Sequence, residues 1–597
     1  MVREKIGKGN GIDVSFALDR LCEMKFEDCN LRRERSLRII APPAPLPLRP
    51  KEKWMQRCAS ILPVVGFTLL ASLIGRSTVH ASNPVRVSEG LLQGTINADG
   101  SVRMFKGVPF AAPPLAELRW RPPAPALRWT GVRPADKFGP PCLQTNVFGD
   151  IYFRDAEPSE DCLNLDIWIP ANAESQKLAV LVWFYGGGFV AGSASEPRYD
   201  GENLAKKGIL VVNTNYRLGV FGFFSYPALT KESEHNASGN YGFLDQVAAL
   251  KWVVRNIAAF GGDPQNITIA GESAGAFSVS ALMASPVSKD LFQKAIGESG
   301  AFFSSPSGPR TLPLASLAET ERQGVRFAES LGAHSLAEMR AKPADELLGA
   351  AAKPGQGFGP NVDGYFLSSD VRTAYERGAQ SHIPLLAGWN ADEGKMFVLL
   401  SSQKPTAKSF SEQAQKRFGD HAAEFLKLYP AQTDPQAMAS AEALAGDDFT
   451  GYATWKWLDL QRQTGGSAVY QYHFEAVPAT KPGATVGTVP ASELGSRHAG
   501  EIEYVFETLK SKPDLPWREE DFKLSEVMSS YWVNFIKTGN PNGKGLPEWP
   551  KLDSQNGYQV MHLNGENIHA EADRTRARYE FLDLTPKPSA SPASGTP

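Results

Sequence analysis

The pentapeptide Gly271-Glu272-Ser273-Ala274-Gly275 sets a serine between two glycines, after an apolar run at residues 267–270 and before a small-residue helical stretch at 276–283. That is the pattern of a strand-to-helix elbow. Such a turn is strained and pushes the serine hydroxyl outward, and the flanking glycines let the neighbouring strand and helix come close. The helix behind it aims free amide groups at the reacting centre. The chemistry this permits is nucleophilic attack on a carbonyl, which needs three further parts: a base, an acid that orients the base, and donors for a developing oxyanion.

Candidates for each part lie elsewhere in the chain. Tyr185-Gly186-Gly187-Gly188-Phe189 follows the apolar run 178–184. Without side chains, Gly187 and Gly188 can present amides to an oxygen, and with the amide of Ala274 they make a three-donor hole. A phosphate loop would end in Gly-Lys-Ser/Thr, which is missing, and the spacing does not fit a dinucleotide fingerprint. No metal or organic cofactor is expected. In this order of chemistry the acid and then the histidine follow the serine. The histidines after Ser273 are His334, His382, His421, His473, His498, His562 and His569. His473 falls inside a strand pattern and His382 begins one, which reads as structural. His498 stands in the glycine-flanked loop Gly495-Ser496-Arg497-His498-Ala499-Gly500 and suits a general base. For the acid, Asn390-Ala391-Asp392-Glu393-Gly394 follows a strand, and on the residues alone Asp392 and Glu393 are both open.

The elements that must position these groups alternate between strand and helix. Residues 178–184, 209–213, 267–270, 383–388 and 469–474 read as strands. Leu244, Val247, Ala248, Leu250, Trp252, Val253 and Ile257 recur at helical spacing, and Gly261-Gly262-Asp263-Pro264 stops that helix. Strand, helix, strand implies an α/β fold with a large, mostly parallel central sheet flanked by helices. Right-handed crossovers put ligand sites at the carboxyl ends of the strands, where the Ser273 elbow falls. Residues 312–348, rich in Ala, Leu and Glu, read as a helical insertion packed on the sheet and over the active site.

Composition sets the outer bounds. The chain has 597 residues, 42% hydrophobic and 21% charged, with a formal net charge of −3. This is globular, and the charge gives no reason to expect nucleic acid or an anionic membrane as a partner. Residues 59–75 are uncharged and largely apolar, preceded by Lys51, Lys53 and Arg57 and followed by Val79-His80-Ala81. That is the pattern of a secretory signal at 55–81, cut after Ala81, with Met55 as the start and 1–54 as a leader outside the fold. Cys22, Cys29 and Cys58 precede the cut. Cys142 and Cys162 remain, and two cysteines in an exported chain suggest one disulfide. Residues 82–584 then form the main domain, and the Pro- and Ser-rich tail 585–597 reads as disordered. The expected location is the periplasm or the medium.

With these residues in view, the chain resembles the type B carboxylesterases of the α/β-hydrolase fold, which include bacterial para-nitrobenzyl esterases and, more distantly, cholinesterases. The resemblance spans about 85–549 and rests on several motifs beside the serine pentapeptide. They are Phe105-Lys106-Gly107-Val108-Pro109, Glu160-Asp161-Cys162-Leu163-Asn164-Leu165, Asn215-Tyr216-Arg217-Leu218-Gly219 and Asn240-Tyr241-Gly242-Phe243-Leu244-Asp245. It implies a Ser273, Glu393, His498 triad, with Glu393 matching the family's acid. It also implies the Gly187, Gly188, Ala274 oxyanion hole, a Cys142 to Cys162 disulfide, and a serine esterase acting on a small-molecule ester. The loop 143–161 carries no tryptophan, so choline esters are poor candidates. Glu298 stands where glutamine is frequent, and Phe302, Phe303 and Trp389 are candidate walls of the acyl pocket.

Overall fold

Apolar runs too continuous to alternate become strands buried on both faces. A computed structural model describes residues 80–585, apart from 146, 150, 155–156, 174–175, 309–313 and 566. The leader, the signal segment before residue 80, Cys22, Cys29, Cys58 and the tail from 586 lie outside the described residues.

Among the described residues, twelve strands form one sheet. They are β1 (His80–Ala81), β2 (Thr95–Ile96), β3 (Val102–Pro109), β4 (Asn164–Pro170), β5 (Leu178–Phe184), β6 (Leu210–Thr214), β7 (Gly262–Glu272), β8 (Lys294–Glu298), β9 (Leu385–Asn390), β10 (Val469–Phe474), β11 (Gln559–Leu563) and β12 (His569–Ala572). Their spatial order is β1-β2-β3-β4-β6-β5-β7-β8-β9-β10-β11-β12. From β6 to β11 all neighbours are parallel, and both edges are antiparallel. Every residue of β6, β8 and β9 is buried, as expected of strands covered by helices on both sides.

Proline shifts two strands from their sequence reading. β9 begins after Pro384, which has no N–H to give its neighbour, and runs on through Trp389 to Asn390, into the acid turn. β7 starts early, at Gly262, but its register breaks between Gly262 and Ile267, around Pro264.

The helix read around 244–257 is α1 (Tyr241–Asn256); a short 3₁₀ turn follows and stops at Gly261, whose φ of 87° ends the helix in the left-handed region. α2 (Ala274–Ala284) is buried at every residue, which its run of Ala, Gly and Ser permits. The insertion is helical as expected: α3 (Leu317–Ser330), α4 (Leu336–Ala341) and α5 (Ala344–Ala351). Its packing differs from expectation. Phe327, Met339 and Leu347 join Trp120, Phe221 and Phe224 in a cluster apart from the sheet's core.

Cys142 and Cys162 are bonded, with Cα atoms 4.9 Å apart. Beside the bond, Arg119 donates through Nε and Nη2 to the two Glu160 carboxylate oxygens at 2.7 and 2.6 Å, and through Nη1 to the carbonyls of Arg340 and Lys342. One guanidinium thus ties the disulfide loop to the insertion. Replacing both cysteines by serine should cost about 3 kcal/mol of stability, from the loop entropy restored to the unfolded chain. Urea unfolding of the oxidised wild type against the double variant checks this; equal midpoints would contradict it.

Candidate active site

Ser273 occupies the single residue between β7 and α2. Its backbone sits at φ 54° and ψ −123°, a conformation that costs a non-glycine residue about 1–3 kcal/mol. Its amide donates to the Glu298 carbonyl at 2.8 Å, and its carbonyl accepts from the Phe277 amide at 2.9 Å. The two glycines are required by space. A Cβ on Gly271 would lie 2.5 Å from the Gly275 carbonyl carbon and 2.6 Å from the Phe184 carbonyl oxygen, and one on Gly275 would overlap that same oxygen.

The structure brings His498 to this serine. The Ser273 hydroxyl lies 2.9 Å from Nε2, and Nδ1 lies 2.5 Å from Oε2 of Glu393. With the Nδ1 proton donated to Glu393, Nε2 is left to accept from the hydroxyl. Of the two acidic residues left open, the loops turn only one toward the imidazole. Asn390 donates its amide to the second Glu393 oxygen at 3.0 Å, while Asp392 accepts from the Ser496 amide at 2.8 Å. Glu393 therefore faces the imidazole, and Asp392 fastens the histidine loop. The Ser496 hydroxyl and the Ala391 amide both donate to the Phe474 carbonyl at the end of β10, which anchors both loops to one strand.

Gly187 and Gly188 stand at φ 102° and 62°. The Gly187 carbonyl accepts from the amides of Val190 and Ala191, each at 3.1 Å, which closes a tight turn. Among the described residues, the amides of Gly187, Gly188 and Ala274 have no acceptor. Tyr185 and Tyr216 stack at 4.5 Å and exchange hydroxyl-to-carbonyl bonds, bracing the glycine loop. Phe302 packs between Phe189 and the α2 residue Phe277. Phe303 turns to Tyr375, and Trp389 to His473 and Tyr579.

Three further carboxylates were not among the expected site residues. Glu272 places Oε1 3.3 Å from His498 Nε2, and burial pushes its carboxyl up to about 8. Glu501 accepts from Asn390 Nδ2 at 2.6 Å and from the Ser299 hydroxyl at 3.1 Å. Glu298 accepts from Trp532 Nε1 at 2.7 Å. Burial raises both of the latter, so their protonated forms are favoured. For His498 burial alone would lower the pKa, but the nearby carboxylates, Glu393 first and Glu272 second, outweigh it and hold the imidazole above its ordinary 6.5. Phe449, from the π-helical turn Asp447–Gly451, packs on the His498 ring at 4.9 Å. A glutamate three residues after the histidine and one just before the serine are sequence signals that mark Glu501 and Glu272; none marks Phe449.

A family model described as the carboxylesterase family matches residues 81–582. The fumonisin B1 esterase of Sphingopyxis macrogoltabida is 37% identical over 479 residues, covering 76% of this chain and 82% of that protein. The para-nitrobenzyl esterase of Bacillus subtilis (strain 168) is 34% identical over 483 residues, covering 78% and 92%. A solved structure of a thermophilic PNB esterase superposes with a TM-score of 0.70 at 32% identity, covering 84% of this chain and 99% of that one.

The elbow yields a paired test. Gly275→Ala should destabilise the protein by about 1–3 kcal/mol through overpacking. Gly349→Ala, in α5 where a Cβ meets nothing within 4 Å, should stabilise by about 0.5–1 kcal/mol. Denaturant midpoints of the two variants should therefore move in opposite directions; movement in the same direction would contradict the packing account.

Proposed function

Since the chain belongs to the carboxylesterase family and is a carboxylic ester hydrolase, we propose that it works through an acyl-enzyme on Ser273, with His498 as base and Glu393 as its orienting acid. The observation that carries this reading is one imidazole spanning the Ser273 hydroxyl at 2.9 Å and the Glu393 carboxylate at 2.5 Å.

In this mechanism His498 Nε2 takes the Ser273 proton as Oγ attacks the ester carbonyl carbon. The carbonyl π pair moves onto oxygen, and the amides of Gly187, Gly188 and Ala274 stabilise that charge. Collapse expels the alkoxide, which leaves as the alcohol with the proton from Nε2. Water then attacks the acyl group with Nε2 again as base, and the acid is released with Ser273 restored. Glu393 stabilises the imidazolium formed in each half without taking its proton.

The substrate is proposed to be a small carboxylic ester of short acyl chain. The relative named fumonisin B1 esterase supports a second, specialised reading, and a para-nitrophenyl ester series of increasing acyl length separates the two. We also propose export: the Cys142–Cys162 bond suits an oxidising compartment. Amino-terminal sequencing of the natural product should find Ser82 first.

Two variants test the chemistry. Ser273→Ala should lower kcat for para-nitrophenyl acetate by on the order of 10⁴-fold or more with unchanged folding; near-wild-type turnover would refute the assignment. Above about pH 8, where its carboxyl ionises, Glu272 adds negative charge beside the imidazole; Glu272→Gln removes that charge, so the imidazolium loses support and the neutral base persists to lower pH. The acid limb of kcat/KM should therefore start above pH 6.5 in the wild type and move down in the variant; an upward shift would contradict it.

A further inference from the structure

Away from the serine, three histidines stand in one rank across the far edge of the sheet. In the strand register His473 of β10 is opposite His562 of β11, and His562 is opposite His569 of β12. Side chains in register share a face, and residues two apart along a strand share it too. Glu475 and Glu571, each two residues beyond a histidine, are thereby brought to the same face. None of these five groups takes part in the ester chemistry derived above.

The side chains converge more closely than strand pairing requires. His473 Nδ1 lies 3.1 Å and His562 Nδ1 2.6 Å from the same Glu475 oxygen, Oε1. Ligand atoms of His473, Glu475 and His562 all fall within 4.8 Å of one another. The second Glu475 oxygen accepts from Asn564 Nδ2 at 3.3 Å. On the far side of the His562 ring, Nε2 faces Glu571 Oε1 at 3.6 Å. The His569 ring stacks on that of His562 with centroids 5.3 Å apart. All three converging side chains are half-buried, so an ion can reach them from solvent.

The geometry points to a divalent transition-metal site, zinc in the first instance, held by His473 Nδ1, His562 Nδ1 and the Glu475 carboxylate, with water completing the shell. Two neutral imidazoles and one carboxylate form a nitrogen and oxygen set of the kind that zinc, nickel and copper take in preference to calcium or magnesium. An ion about 2.1 Å from each ligand needs those atoms about 3.4 Å apart, a small opening of the present hydrogen-bonded trio. On binding, each ring stays neutral: its proton is exchanged through solvent from Nδ1 to Nε2, and the ion takes the vacated place between ring and carboxylate. Glu571 at the opposite ring nitrogen of His562 and Asn564 on the second Glu475 oxygen are the outer partners that orient such ligands. The ion would clamp β10 to β11, and Trp389 lies close enough to report it, its ring 6.0 Å from that of His473.

The test titrates zinc chloride into the chelator-treated full chain at pH 7.5 by calorimetry, with copper(II) quenching of tryptophan fluorescence as a second readout. One zinc per chain should bind, with Kd on the order of 10 µM or tighter. His562→Gln and Glu475→Gln should each weaken it at least about tenfold, and Glu571→Gln by a smaller factor. Retained hydrolysis of para-nitrophenyl acetate shows that each variant is folded. Stoichiometric binding lost in both ligand variants supports the site. Absence of binding up to millimolar zinc overturns it, as does binding that neither variant weakens; the rank would then be a hydrogen-bonded ladder only.

Discussion

A serine held at φ 54° between a strand and a helix is the constraint on which the rest of the molecule depends. The conformation is unfavourable by itself, and what holds it is the parallel sheet. β7 lies between β5 and β8, and the β8 carbonyl of Glu298 receives the Ser273 amide. α2 can begin directly after the serine because Gly271 and Gly275 leave room for its first turn against the end of β5. The same strand, β5, leads into the glycine loop 186–188, so Ser273 and the amides of Gly187 and Gly188 are positioned by adjacent strand ends. Local strain at one residue is thus sustained by long-range contacts that the sheet must make anyway.

Charge is the second organising factor. Glu272, Glu393 and Glu501 surround one imidazole in a buried region, and Glu298 stands near Glu501 and Glu272. Four ionised carboxylates there would be costly to bury, and desolvation accordingly raises Glu272, Glu298 and Glu501. Glu393 is set apart by its partners, the Asn390 amide on one oxygen and the imidazole on the other. Both of its oxygens are thereby engaged, and the carboxylate is fixed against the imidazole. Glu298 occupies a glutamine-like role, accepting one hydrogen bond from Trp532.

Much of the frame was legible in the sequence because buried parallel strands leave unbroken apolar runs. β5 and β10 begin and end where those runs do. The elbow and the glycine loop were legible because close approach and positive φ both call for glycine. Asp392 and Glu393 could not be separated from the residues alone, since both lie in one turn and the choice depends on which way the His498 loop folds back; the family resemblance had named Glu393. The insertion was legible as helix but not as to its partner, because an amphipathic stripe states that a face is apolar and not what covers it. Phe449 left no signal, since a π-helical turn has no period of its own. His473 reads as a strand residue, which it is; its alignment with His562 and His569 follows from the register of three strands far apart in the chain.

Ser273 is the proposed nucleophile, and the chemistry turns on it. Its most direct measurement is covalent trapping: the folded chain is treated with a fluorophosphonate, digested and mapped by mass spectrometry. One adduct per chain is expected, on the peptide containing Ser273, formed rapidly at neutral pH and slowly when His498 is replaced by alanine. An adduct on another serine, or none on protein that hydrolyses esters, would contradict it.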